Sequence, residues 1–316
     1  MTTASTYAEF AAREAHGVSP AYERLAFAVS EDAELPALLE RLPPAKRQPN
    51  LLFGVVRLLG GPVDDPAAFH AYVLANWPAI EAEMRVRVTQ TNEAGRCAVL
   101  LPVLTALPQP LALLEVGASA GLCLYPDRYA YRYDGHVVGS GEPVLDCALT
   151  GLEPPATVPR VAWRAGLDLN PLDVRNPADL AWLDALIWPE HAHRRARLRA
   201  AAAVAAADPP LLVRGDLVDD LPALAAQAPP GATLVVFHSS VLYHVPPPRR
   251  TAFVQLVRDL PGHWVANEAP AVLPHAGTPE PPGEVLHQVL ALDGRPLAWT
   301  RQHGQELLWF GPSMSR

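Results

Sequence analysis

Leu111-Ala-Leu-Leu-Glu115-Val-Gly117-Ala-Ser119-Ala-Gly121-Leu122 is the stretch on which the fold turns. Its opening run, apolar except for Glu115, has the length and bulk of a buried strand. The loop that follows carries only small side chains, and Gly117 and Gly121 can take backbone conformations closed to other residues. Such a loop lets a ligand approach the backbone. If a helix starts at once behind it, free N-terminal amides face the ligand as well. A branched side chain at Gly121 would then fill space that the ligand needs.

Beyond this stretch, short apolar runs alternate with helical periodicity, the pattern of a parallel sheet with crossover helices. Strands are expected at Leu111–Val116, Val161–Leu167, Leu211–Val213, Thr233–Phe237 and His263–Ala266. Helices are expected over 178–187, 190–206, 219–227 and 248–260, and a hairpin inserted between Tyr129 and Gly141. Asp293-Gly294 and His303-Gly304 join the runs Val285–Leu292, Pro296–Thr300 and Glu306–Phe310, so the sheet should close with antiparallel strands. Upstream of Pro108-Gln109-Pro110 the spacing is helical over 20–29, 35–42, 50–59 and 67–88. Two regions are therefore expected, an all-helical cap over 1–108 and an α/β domain over 109–316. On an apolar helix expected to end at Leu107, Asn92, Glu93 and Arg96 would fall within one turn and share a face. They form either a surface salt bridge or the polar wall of a pocket.

Composition narrows the function classes. With 50% hydrophobic and 18% charged residues, the 316-residue chain has material for a sizeable core. It shows neither an apolar run of membrane-spanning length nor a basic-then-apolar start, so a cytoplasmic protein without membrane partners is expected. A formal charge of −8 argues against a nucleic-acid partner. The basic run His193-Arg-Arg-Ala-Arg-Leu-Arg199 reads as the solvated face of an Ala-rich helix. Cys97, Cys123 and Cys147 lack metal or disulfide spacing, and His191 and His193 would point to different helix faces, so no metal site is expected.

Three readings compete for the small-residue loop. A GxGxxG dinucleotide fingerprint fails at Ser119 and lacks its third glycine. GxSxG, the nucleophile elbow of serine hydrolases, matches literally, with Ser119 as nucleophile and Asp216 or Asp219 and His287 as possible partners. The third is a resemblance: Glu115, Gly117 and Gly121 are similar to the acidic-x-Gly-x-Gly-x-Gly loop of class I S-adenosylmethionine-dependent methyltransferases. Ser119 stands where that family's central glycine is usual. The resemblance spans about residues 108–316 and implies a Rossmann-like α/β sheet that binds S-adenosylmethionine. It implies that Asp168, or Asp127 or Asp134 in its place, holds the ribose, and that Asp216 and Leu217 line the adenine side. His238 and Glu268, at the ends of the fourth and fifth strands, would be base and orienting acid. For His238 a packing or capping role is the alternative. Asn92, Arg96 and Tyr243 would face the substrate.

The whole chain also resembles an uncharacterised, mainly actinobacterial family known only as a domain of unknown function. The phrases that carry this are Gln48-Pro-Asn-Leu-Leu-Phe53, Thr91-Asn-Glu-x-x-Arg96, Gly117–Leu122, Asp168-Leu-Asn-Pro-Leu-Asp173 and Trp188-Pro-Glu190. Three functions are thus expected in order: methyl transfer to an unidentified small molecule, ligand binding on a methyltransferase-like fold without methylation, and serine hydrolysis.

Overall fold

The computed structural model describes residues 2–283 and 285–312. Met1, Glu284 and residues 313–316, which fall within the expected spans 1–108 and 109–316, lie outside the described residues. By contacts the chain divides into two compact units, Met1–Thr91 with Arg175–Ala196, and Asn92–Val174 with Arg197–Arg316.

The first unit is helical, with α-helices Thr3–Phe10, Pro20–Glu31, Glu34–Leu39, Pro49–Leu58, Pro66–Val86 and Pro177–Leu186. Proline at the first helical position follows a capping side chain at Ser19 and at Asp65, which accept from the amides of Tyr22 and Ala68. Phe53 is the hub of the core, with the rings of Tyr22, Phe69, Tyr7 and Phe10 at 4.8, 5.6, 6.0 and 6.2 Å. Two of the quoted phrases meet here. Trp188 Nε1 donates to Asn50 Oδ1 at 2.9 Å, and Glu190 accepts from Ser19 Oγ at 2.7 Å and the Ala21 amide at 2.9 Å. Their role in this unit is to fasten the returning segment to the helices.

The second unit is built on a mixed sheet. Its strands are β1 (Leu111–Val116), β2 (Ala130–Tyr133), β3 (His136–Val138), β4 (Val144–Thr150), β5 (Val161–Asp168), β6 (Leu211–Arg214), β7 (Thr233–Ser239), β8 (His263–Glu268), β9 (Gln288–Leu292), β10 (Arg295–Thr300) and β11 (Glu306–Trp309). They lie in the order β3-β2-β4-β11-β10-β9-β8-β7-β1-β5-β6. The run β6-β5-β1-β7-β8 is parallel throughout, and β9, β10 and β11 continue it antiparallel. Strand β1 is buried along its whole length, as its apolar sequence requires of a parallel strand covered on both faces. On one face Leu114, Val116, Val236 and Ala266 pack against Phe253 and Val257, which come from the helix Pro247–Asp259. Side chains alternate along a strand, so Glu115 projects from the opposite face.

Two expectations are corrected. No α-helix follows the small-residue loop: Gly121, at φ +71°, leads into a single 3-10 turn, Leu122–Leu124, and then into β2–β4. Tyr129, Tyr131 and Tyr133, spaced two apart, are buried and donate to the carbonyls of Leu122, Pro126 and Ala98 at 2.8, 2.7 and 2.6 Å. Those bonds fix an extended chain where a crossover helix would stand. Secondly, Asn92 and Glu93 do not share a helical turn with Arg96. Glu93 caps a short 3-10 turn, Ala94–Arg96, and the α-helix begins only at Cys97.

Candidate functional site

In sequence order the parallel strands run third, second, first, fourth and fifth across the sheet. The chain therefore reverses its winding between β1 and β7, and ligands of open α/β sheets bind outside the carboxyl ends of the strands at such a switch point. Two turns meet there. A Cβ on Gly117, in the turn after β1, would stand 2.4 Å from Cγ2 of Val241, in the turn after β7.

Both turns hold a serine in the left-handed region, Ser119 at φ 53° and Ser240 at φ 56°. Such backbone costs of order 1–3 kcal/mol per residue and collects at functional sites. With Gly117 and Gly121 both at φ +71°, every second residue of the first loop is left-handed, so the chain needs glycine-like freedom at position 119 too. The Ser119 hydroxyl is also buried without a hydrogen-bond partner. Ser119→Gly is therefore expected to raise stability by about 1 kcal/mol, strain relief and loss of an orphaned hydroxyl exceeding the entropy cost of glycine. Urea unfolding measures it. A fall in stability would mean that the hydroxyl has a partner. Among the described residues no histidine lies within hydrogen-bond reach of that hydroxyl, and His287 is engaged elsewhere, through Nδ1 to the Val285 carbonyl at 2.7 Å.

Most of the loop's amides are already used. Gly117 and Ala118 donate to Leu167 O at 2.8 and 3.3 Å, Gly121 donates to Ala118 O at 2.7 Å, and Ser119 donates to Asp168 Oδ2 at 2.7 Å. The expected row of free helix-end amides is absent. Gly121 faces its own chain: a Cβ there would meet Leu124 at 3.0 Å and Leu212 and Pro210 at 3.2 Å. A branched residue at 121 would strain the unliganded fold rather than fill a ligand's space.

Asp168 closes β5 beside this loop, its second oxygen taking the Asn170 amide at 2.7 Å. The alternatives to it are occupied in other ways. Asp127 forms a two-pronged pair with Arg164 at 2.8 and 3.0 Å, and Asp134, in the turn between β2 and β3, accepts from the Leu149 amide of β4 at 2.9 Å. Asp216 follows β6 and accepts from the amides of Val218 and Asp219, at 2.7 and 3.3 Å, and from Arg249. Burial would raise its carboxyl; the amides and the guanidinium outweigh that and hold it below the usual range. Leu217 is half-buried against the core.

On the other face of β1 lies a polar cluster. Glu115 is 7% exposed, and its Oε2 has no hydrogen-bond partner. Burial, chiefly, with Cys123 and Asp168 adding to it and Arg96 opposing, pushes this carboxyl well above the ordinary range. Arg96 is buried, with Nη1 donating to Ser239 O at 2.9 Å and Nε to Gln302 O at 3.0 Å. Asn92 accepts from the Leu122 amide at 3.3 Å, while its buried Nδ2 has no partner. Three of the quoted phrases thus meet at one place: Asn92 on Leu122, Ser119 on Asp168, and the Leu172 amide on Ser119 O at 3.1 Å.

His238 stands otherwise than expected of a base. It is fully buried, with Nδ1 2.8 Å from Glu268 Oε1 and Nε2 accepting from the indole N–H of Trp264 at 3.0 Å. An indole can only donate, so Nε2 carries the lone pair and Nδ1 the proton. That lone pair is spent on Trp264 and is out of a substrate's reach. Glu268 Oε1 also accepts from the amides of Val241 and Leu242, at 2.8 and 3.2 Å. The pair pins the turn after β7. Tyr243 and His244 are exposed beyond it, their rings in a tilted contact with centroids 3.7 Å apart. His244 is held below the ordinary imidazole range by desolvation, with Glu268 opposing.

Sequence reasoning missed a buried network behind that turn. Asn267 Nδ2 donates to Ser239 Oγ and Gln288 Oε1, both at 3.0 Å, Thr300 Oγ1 donates to Asn267 Oδ1 at 2.7 Å, and Gln288 Nε2 donates to Ser240 Oγ. The members come from β7, β8, β9 and β10, with Ser240 from the turn after β7. A polar residue within each apolar run was the one local signal.

Among the described residues no group of three or more His, Cys, Asp or Glu is placed to hold a metal ion, and no helix is long and apolar enough to cross a membrane. Neither the curated proteins nor the solved structures contain a match to the chain. Residues 4–309 match the family described as an uncharacterized protein conserved in bacteria (DUF2332), and the chain belongs to that family.

Proposed function

We propose that the second unit binds S-adenosylmethionine at the carboxyl ends of β1, β5 and β6 and transfers its methyl group to a small molecule. The observation that carries this is the meeting of the left-handed loop with Asp168 and with two buried, unpartnered oxygens, Glu115 Oε2 and Ser119 Oγ. Orphaned polar atoms in a buried site cost about 1–3 kcal/mol each, a cost that a ligand's donors would remove. The residues fit the group. Asp168 is a carboxylate at the strand end beside the loop, of the kind that accepts from ribose hydroxyls, Glu115 offers a buried oxygen without a partner, and Leu217 offers apolar surface for a base. When bound, the cofactor supplies an electrophilic methyl group on a sulfonium.

His244, and not His238, is then the proton acceptor: its imidazole is held below the ordinary range by desolvation, lies exposed on the carboxyl side of β7, and makes no side-chain hydrogen bond or ion pair among the described residues. S-adenosylhomocysteine at about 100 times its dissociation constant should stabilise the protein by roughly 2.7 kcal/mol. For a protein of this size the expected rise in melting temperature is roughly 5–10 °C. No shift at millimolar ligand would remove the cofactor assignment.

A second reading, ligand binding without methylation, is favoured by the loop's internally satisfied amides. Release of S-adenosylhomocysteine from S-adenosylmethionine across a panel of acceptors separates the two.

A further inference from the structure

We infer that Arg96 anchors a ligand carboxylate, and that the small molecule bound at this site is a carboxylic acid. In assigning the carboxylate to the methyl acceptor the inference rests on the methyl-transfer reading; the anion site itself does not.

The argument starts from charge. A guanidinium stays protonated in any protein environment, so Arg96 brings a permanent positive charge into a position only 7% exposed. Buried charges are normally paired. Yet among the described residues no carboxylate lies within ion-pair distance of Arg96, and its two acceptors, Ser239 O and Gln302 O, are neutral carbonyls. The electrostatic neighbour that opposes it is Glu115, whose own burial favours the uncharged acid.

The carbonyls have a second consequence. One comes from the end of β7 and the other from the turn between β10 and β11, so they hold the guanidinium plane in place. That turn is itself tightly seated: a Cβ on Gly304 would stand 1.9 Å from Gly95 O. Of the five N–H donors of an arginine, two are used in this way, and the rest form the fork that matches a carboxylate. Asn92 Nδ2 and Ser119 Oγ, both buried and unpartnered, supply further donors around the same loop. A buried cation with no carboxylate at ion-pair distance, in a unit whose small-residue loop also holds unpartnered donors, is complementary to an anion.

A carboxylate here has two sources, the amino-acid end of the cofactor or the methyl acceptor. If it belongs to the acceptor and is itself methylated, one of its oxygens attacks the sulfonium methyl carbon. The carbon–sulfur bond breaks with its electron pair passing to sulfur, giving an ester and a neutral thioether. No proton moves, so a carboxylate acceptor needs no base, and His244 would serve only acceptors that carry a proton.

The test measures binding of acetate, succinate and benzoate at constant ionic strength by calorimetry and thermal shift, with and without saturating S-adenosylhomocysteine. Wild type is compared with Arg96→Lys and Asn92→Asp. The lysine variant keeps the charge and loses the planar fork. The aspartate variant keeps the acceptor for the Leu122 amide and replaces the buried donor by a negative oxygen. Each should weaken carboxylate binding at least about tenfold. Carboxylates that bind alongside S-adenosylhomocysteine place the anion on the acceptor; competition places it on the cofactor. If S-adenosylhomocysteine fails to bind while carboxylates bind and respond to the variants, the anion site stands and the methyl-transfer reading falls. Should Arg96→Lys fail to fold by circular dichroism, Asn92→Asp alone decides. Absence of carboxylate binding, or unchanged affinity in the folded variants, overturns the inference.

Discussion

Glu268→Ala is expected to lower stability by about 3–5 kcal/mol, making it one of the most damaging single changes in the chain. The carboxylate is 1% exposed and one of its oxygens accepts three bonds, from the imidazole of His238 and from the amides of Val241 and Leu242. Alanine leaves all three donors without their acceptor, two of them in buried surroundings. Each orphaned donor costs about 1–3 kcal/mol, offset in part by relief from burying the carboxylate. His238 then loses one of the two bonds that fix its ring, and Trp264 loses an ordered acceptor. In a chain of this length the fall in melting temperature is roughly 6–15 °C. Glu268→Gln, which retains an acceptor oxygen, should cost less than half as much. The distinction matters for function, since His238 and Glu268 would be a base and its orienting acid if they faced the substrate. In that case both variants would lose turnover while melting near the wild-type temperature. Unfolding in urea and by heat, side by side with cofactor binding, separates these outcomes.

Much of this arrangement could be read from the sequence because buried parallel strands are written as short apolar runs. β1, β5, β7 and β8 appear within a residue or two of their expected bounds, and Asp293-Gly294 forms its turn with both residues left-handed, φ 51° and 80°. What escaped was non-local. β4 pairs in parallel with β2 on one side and with β11 on the other, Ala148 lying opposite Glu306, and no local pattern announces a partner at that separation. The hairpin expected between Tyr129 and Gly141 is present as β2 and β3, but that it stands in place of a crossover helix was not legible. Tyr129, Tyr131 and Tyr133 carry a period-two signal, but only their carbonyl partners show that it replaces a helix.

The site follows the same rule. A histidine after an apolar strand is the same string of letters whether it faces a ligand or an indole. Trp264, on the neighbouring strand, decides the matter for His238. Arg96 was placed by assuming a helical face that does not exist. It reaches Glu115's neighbourhood through carbonyls of β7 and the β10–β11 turn instead.

Asn267→Leu carries the second large effect, an expected loss of about 3–6 kcal/mol. Asn267 is fully buried and is the one residue bonded to Ser239, Gln288 and Thr300 together. Leucine keeps the branched outline but is bulkier, so some overpacking adds to the cost of the stranded polar groups. Three side chains lose a partner at once, and Gln288 is released from the position in which it donates to Ser240. Ser240 is the left-handed residue in the turn after β7, and its amide also donates to Asn267 O at 3.1 Å. That backbone bond survives the substitution, so the turn should loosen rather than dissolve. Two readouts are therefore expected to move together: the urea midpoint falls, and hydrogen exchange accelerates at Ser240 and Val241. The network also fixes Ser239, whose carbonyl holds Arg96, so the variant that remains folded at low temperature should bind the carboxylates described above more weakly than wild type. A loss below about 1 kcal/mol would show that water or a rearranged Gln288 replaces the amide. In that case the strained turn would owe its geometry to Glu268 alone.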